Sequence, residues 1–198
     1  MSQLLIGLTG LAGAGKDTVR AILEKNHDAF GLAFADPMRD MLGALLESIG
    51  LSSEWMTERH LKELVIPELG TSYREMAQRL GTEWGRAIGE DFWLRIASAK
   101  VQMYRQQGDH IVISDVRFPN EAAWIQAQGG VVWRILRPGL EAVRSHASEM
   151  HFDHLPYDYT ILNQGSLEEL DRAVSCALTY HRRWPIERDR WAVAQEAA

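Results

Sequence analysis

Seven residues near the start of the chain have the types and spacing that phosphate chemistry needs: Gly10-Leu-Ala-Gly-Ala-Gly15-Lys16. A G-x-x-x-x-G-K loop between a buried strand and a helix turns consecutive backbone N–H groups toward one point, and the helix N-terminus adds its positive dipole end. The glycines allow that convergence, and the Lys16 ammonium reaches the β and γ oxygens of a bound triphosphate. The residues assigned to ATP are Gly10, Gly13, Ala14, Gly15, Lys16, Asp17 and Thr18. Asp17 stands where the general motif has a serine or threonine ligand for magnesium, and the Thr18 hydroxyl comes one position later. Either oxygen is a candidate metal ligand, and Asp17 at a helix start is a candidate cap as well.

A second cluster is Ser114-Asp-Val-Arg-Phe-Pro-Asn-Glu121. It puts a carboxylate and a guanidinium at the end of a predicted strand, the edge where open α/β sheets bind ligands. Asp115 suits magnesium through water or a substrate hydrogen bond, and Arg117 offers a planar fork for a phosphate. A plain strand-end ion pair is the alternative. Arg74, Gln78 and Thr82 recur at i, i+4 and i+8, with Arg86 continuing the row, so one helical stripe can face an acceptor or simply water. Arg137 and Arg144 are placed to neutralise a transferring phosphoryl group, against the alternative of surface arginines. Trp84, Phe92 and Trp93 are read as core in preference to base-stacking residues. His146, His151, His154 and Asp153 lack zinc-ligand spacing and read as a polar loop.

The elements that must position these residues alternate. Leu4 to Leu8 is a continuous apolar run, as in a strand buried on both faces. Phe30, Leu32 and Phe34 mark a second strand, and Asp36-Pro37 predicts an N-cap and first-turn proline for a helix ending near Gly50. From Leu51 to Gln107 the pattern is helical, with a capping box at Ser72 and Glu75 and a later face of Trp93, Ala97, Val101 and Tyr104. Strands return at His110 to Ser114 and Val131 to Leu136, around a helix from about Asn120 to Gln128 that Gly129-Gly130 ends. A fifth strand at Tyr159 to Leu162 precedes a helix opened by Ser166 and Glu169 and carrying Leu167, Leu170, Val174 and Leu178. This order predicts a parallel α/β sheet in one domain, residues 1–198. It carries a helical insertion at about 36–107 and a polar lid at about 137–157. No pattern is legible after His181.

Composition narrows the partners. A formal net charge of −6 gives no basic field for a nucleic-acid polymer, so the anion site must be built locally. Cys176 is the one cysteine, which excludes an intrachain disulfide and fits a reducing, cytoplasmic setting; it is expected in the core of the last helix. The apolar opening is interrupted by glycines and Lys16 well short of a membrane span.

The GAGKDT loop, Phe34-Ala-Asp-Pro, Arg74 with Gln78-Arg-Leu-Gly-Thr-Glu83, Asp91-Phe-Trp93, DVRFPNEA from Asp115, His146-Ala-Ser-Glu149 and Asn163-Gln-Gly165 span roughly residues 5–175. With them the chain resembles the bacteriophage-type deoxynucleoside monophosphate kinases, relatives of thymidylate kinase in the P-loop superfamily. GKDT is the usual form of the loop among these relatives. The resemblance implies a five-stranded parallel sheet with a nucleotide-monophosphate insertion after the second strand and a lid after the fourth. It implies ATP-Mg²⁺ as donor and a deoxynucleoside 5′-monophosphate as acceptor, held between the insertion and Arg117, with a diphosphate as product. It is compatible with a homodimer, and with the host cytoplasm for a phage-encoded chain. The residues alone leave open a kinase of another small metabolite, or a nucleotide-gated regulator with little turnover.

Overall fold

The structure, a computed structural model, describes residues 3–140 and 155–196, with side chains as far as His181 in the last helix. Contacts divide the chain into two compact units, residues 1–31 with 104–198, and residues 32–103.

The first unit is built on strand β1 (Leu5–Thr9), whose five residues are all buried. Helix α1 (Lys16–His27) follows the glycine loop and buries Val19, Ile22 and Leu23 along one face. Strand β2 (Ala29–Leu32) leads to the second unit, in which α2 (Asp36–Ser48) and the short α3 (Glu54–Thr57) precede β3 (Val65–Ile66) and β4 (Thr71–Ser72). Next come α4 (Tyr73–Gln78), a π-helical stretch over Arg79–Trp84, and α5 (Gly85–Ile88). Helix α6 (Phe92–Gln107) runs back to the first unit, which continues with β5 (His110–Ile113), α7 (Pro119–Ala127), β6 (Val131–Leu136), β7 (Tyr159–Leu162) and α8 (Leu167–Glu196).

The sheet order is β2-β5-β1-β6-β7, giving a five-stranded parallel α/β sheet flanked by helices. β1 pairs in parallel with β5 through Leu5–Ile111 and Gly7–Ile113, and with β6 through Ile6–Val131 and Thr9–Arg134. β7 extends the sheet beside β6. The chain reverses its direction of growth across β1, so the loop leaving β1 lies at the topological switch point, where such sheets bind ligands. The core of this unit gathers Ile6, Leu8, Leu23, Trp133, Ile135 and Ile161 with the α8 face of Leu170, Val174, Ala177 and Leu178. Each large aliphatic side chain so buried contributes about 1.5–3 kcal/mol. That α8 face spaces its residues at i, i+4, i+7 and i+8, which leaves Cys176 outside it: the thiol is exposed, not in the core. The Ser166–Glu169 capping box is complete, with Ser166 N donating to Glu169 Oε2 at 2.8 Å and Glu169 N to Ser166 Oγ at 3.3 Å.

The second unit departs from the sequence pattern in three ways. It is not wholly helical, because β3 and β4 form an antiparallel ribbon pairing Val65 with Ser72. Ala35, not Asp36, holds the N-cap position of α2. The Asp36 carboxylate turns instead to accept from Ala33 N at 2.7 Å and from Arg39 at 3.0 Å. Third, the helix through residues 73–88 is α only at its ends. Ser72 caps it as expected, accepting from Glu75 N at 3.2 Å. Among the described residues, no helix is long and apolar enough to cross a membrane.

Candidate functional site

The phosphate loop is shaped by contacts that only glycine tolerates. At Gly10 (φ 145°) a Cβ would sit 2.4 Å from the carbonyl oxygen of Ile135, so the chain leaves β1 pressed against the backbone of β6. Gly15 takes the N-cap position of α1 in the left-handed region, φ 102°, where a side chain is strained. Ala14 is buried and donates its N–H to Leu11 O at 3.1 Å, closing the turn between them. The Lys16 ammonium donates to Gly10 O at 2.7 Å and Leu11 O at 3.0 Å. The lysine therefore lies over the loop it closes. Asp17 and Thr18 occupy the exposed first turn of α1. Asp17 does not cap the helix, since Gly15 fills that position without a side-chain bond; its charge complements the helix dipole from inside the first turn.

Asp115 and Arg117 arrive at the same edge. Val116 N donates to Leu8 O at 3.1 Å, which extends the β5–β1 pairing past the strand and fixes the SDVR segment beside the phosphate loop. Asp115 is buried and Arg117 exposed. The turn between them and α7 is held by Glu121, a buried carboxylate that sequence reasoning passed over. Its Oε2 accepts from Arg117 N at 2.8 Å and from Phe118 N at 3.0 Å. Glutamate three positions after the N-cap Phe118 was the available signal for it. Arg137 is exposed at the end of β6, the other neighbour of β1. The loop residues, Asp115, Arg117 and Arg137 thus share the carboxyl edge of three adjacent strands. Arg144, with His146, His151, Asp153 and His154, lies outside the described residues, as does most of the expected lid.

Sequence reasoning also assigned no role to Asn163, the first residue after β7, although it lies over the loop. Its Nδ2 donates to Ala14 O at 2.8 Å. It also lines a cleft of about 500 Å³ with Pro138, Leu162, Gln164, Gly165 and Glu169.

In the second unit the row of Arg74, Gln78, Thr82 and Arg86 is carried by the helix through residues 73–88, but its middle is π-helical. A straight α-helix drifts roughly 40° at each four-residue step, and the wider π turn sets part of that drift back. Gln78, Thr82 and Arg86 are half-buried, whereas Arg74 is exposed and paired with Glu63. The π turn is stabilised from the side: Trp93 Nε1 donates to Gly81 O at 2.7 Å, and a Cβ on Gly85 would strike the Trp93 ring at 2.3 Å. Trp93 is buried and structural, as expected. Trp84 is not core; it is 45% exposed and meets Phe92 edge-on at 5.5 Å. Nearby, the hydrogen bond from Arg95 holds the exposed Asp91 carboxyl below its ordinary value, helped by the guanidinium charge.

Magnesium prefers oxygen donors and keeps several waters, so few protein ligands suffice. The donor set fits: a hydroxyl and a carboxylate in the first turn of α1, and a buried carboxylate at the adjacent strand end. Among the described residues there is no cluster of three or more histidine, cysteine or acidic side chains for a tighter metal site.

A parallel sheet with a glycine–lysine loop at its switch point and arginines just past the ends of the flanking strands is the arrangement expected of a P-loop phosphotransferase. The family model for deoxynucleotide monophosphate kinases matches residues 51–174, and the chain belongs to that family. Its enzymatic class is accordingly a deoxynucleotide monophosphate kinase. The matched span starts beyond the phosphate loop, so loop and family are independent observations. An Acanthamoeba polyphaga mimivirus protein bearing the deoxynucleotide monophosphate kinase name is 29% identical, over 88% of this chain and 96% of its own. The deoxynucleotide monophosphate kinase of Escherichia phage RB69 is 23% identical, over 84% of this chain and 96% of its own. Among solved structures, dephospho-CoA kinase from Campylobacter jejuni has a TM-score of 0.47 at 14% identity, covering 90% of this chain and 96% of its own.

Proposed function

We propose that the chain transfers the γ-phosphoryl group of ATP to the 5′-phosphate of a deoxynucleoside monophosphate, giving ADP and the deoxynucleoside diphosphate. The observation that carries the reading is that Lys16, opening the helix after the β1 loop, and Asp115 and Arg117, just past the end of the paired strand β5, come to one edge of the sheet. The loop N–H groups and Lys16 hold the triphosphate, and Lys16 exchanges its carbonyl partners Gly10 and Leu11 for phosphate oxygens. Magnesium, held by Thr18 or Asp17 with Asp115 as an outer partner, would neutralise charge on the β and γ phosphates. Arg117 grips the acceptor phosphate as a bidentate fork, and Arg137, with Arg144 beyond it, offsets charge on the equatorial oxygens.

An acceptor phosphate oxygen attacks the γ phosphorus as the bond to the β–γ bridging oxygen breaks, and ADP leaves with that electron pair. The nucleophile is already an anion at neutral pH, so no general base is needed. Positioning and electrostatics supply the catalysis. Arg74, Gln78, Thr82 and Arg86 are assigned to the acceptor nucleotide. Arg74 must first release Glu63, an exposed pair worth at most about 1 kcal/mol. A homodimer is part of the proposal by family likeness.

A coupled ADP-release assay with ATP, magnesium and each deoxy- and ribonucleoside monophosphate tests this reading. Acceptor-dependent ADP formation with at least one deoxynucleoside monophosphate is the expected result. ADP release indifferent to every acceptor in the panel would overturn it.

A further inference from the structure

One side chain ties the phosphate loop to the far side of the sheet. Asn163 donates from Nδ2 to Ala14 O at 2.8 Å, across 149 positions of sequence. Its own backbone N–H donates to Leu136 O at 2.8 Å, so the residue is fastened to β6 while it holds the loop. The peptide it grips is the one joining Ala14 to Gly15. A trans peptide is planar, with its C=O and N–H pointing opposite ways. Drawing the Ala14 carbonyl outward to Asn163 therefore turns the Gly15 N–H the other way, immediately before Lys16. The fit is close: a Cβ on Gly15 would lie 2.3 Å from Asn163 Nδ2. A phosphate loop works only when its carbonyls face away from the anion and its N–H groups face it. The Asn163 bond imposes that sense on the last peptide before the helix.

We propose that Asn163 is a positioning residue for the phosphate loop, presetting the Ala14–Gly15 peptide for a polyphosphate. The inference rests on the reading of the loop as the ATP site. Because Asn163 also lines the cleft beside Gln164 and Gly165, a direct contact with the nucleoside of ATP is the competing role. Inorganic tripolyphosphate has no nucleoside and separates the two.

The experiment is calorimetric titration of the full chain with tripolyphosphate and with ATP, comparing wild type, Asn163→Ala and Asn163→Asp, alongside KM for the acceptor. Asn163→Asp keeps the shape but turns an acceptor toward the Ala14 carbonyl. Asn163→Ala should weaken both probes by the same factor, about tenfold, and Asn163→Asp by more, while acceptor KM stays at the wild-type value. A merely structural loss would move the acceptor as well. Unchanged tripolyphosphate binding in Asn163→Ala overturns the proposal, whether or not ATP binding falls. Should Asn163→Asp fail to fold, Asn163→Ala and Asn163→Ser, which add no charge, carry the measurement. Failure of the wild type to bind either probe would instead sink the ATP-site reading itself.

Discussion

Removing the Glu121 carboxylate should cost both stability and acceptor use, and in a proportion the structure sets. Glu121 is 6% exposed, and its Oε2 accepts from the backbone of Arg117 and Phe118 at 2.8 and 3.0 Å. Hydrogen bonds to a charged group contribute about 1.5–3 kcal/mol each, and a buried N–H left without a partner costs about 1–3 kcal/mol. The two donors lie on one turn and relax together, so Glu121→Ala should lose roughly 2–4 kcal/mol. Glu121→Gln keeps an acceptor oxygen without the charge, and should lose on the order of 1 kcal/mol. With a urea slope of about 2 kcal/mol per molar, the alanine variant's midpoint falls by roughly 1–2 M at constant slope. The same turn aims Arg117, so acceptor kcat/KM should fall more than KM for ATP rises, measured where the variant is folded. A Glu121→Ala midpoint within about 0.25 M of wild type would refute the idea that this carboxylate holds the turn.

Three further outcomes follow from the same geometry. Lys16→Met should lower kcat by about a hundredfold or more with an unchanged thermal melt, because it removes charge from the β and γ oxygens; near-normal turnover would sink the ATP-site assignment. Arg117→Lys should lower acceptor kcat/KM by roughly tenfold or more with KM for ATP unchanged, since a point charge does not reproduce a fork; unaltered acceptor kinetics would place Arg117 outside the site. A magnesium titration of Asp17→Ala and Thr18→Val separates the two loop oxygens, and the variant that needs several-fold more metal identifies the ligand; equal demand in both would assign the metal elsewhere.

Much of the fold was legible because short, mainly apolar runs bounded by turn residues mark strands, most plainly at the fully buried β1. Val131 to Leu136 and Tyr159 to Leu162 emerge with the bounds the pattern gives. The G-x-x-x-x-G-K loop was legible because its spacing is itself the chemistry, and the glycine at position 10 is forced by the Ile135 carbonyl. What escaped depends on neighbours distant in sequence. The π turn over Arg79–Trp84 leaves no mark in helix propensity; Trp93, nine residues past its end, satisfies the Gly81 carbonyl within it. Cys176 and Trp84 were placed in the core by residue type, yet a helix buries a stripe, and neither lies on it.

Asn163 and Glu121 show the same limit at the site itself. Each is an ordinary polar residue just beyond a strand or at a helix start, and each acts on backbone rather than on a ligand. Asn163 reaches Ala14 only because β6 alone separates β7 from β1 in the sheet, so the loop can extend across the β6 end to the asparagine. Strand order of that kind is set by packing and handedness, not by any local pattern. A loop that must expose its N–H groups needs partners for its carbonyls, and those partners come from wherever the sheet puts them. The residues that touch phosphate are thus readable from spacing, whereas those that aim them are readable only from the assembled sheet.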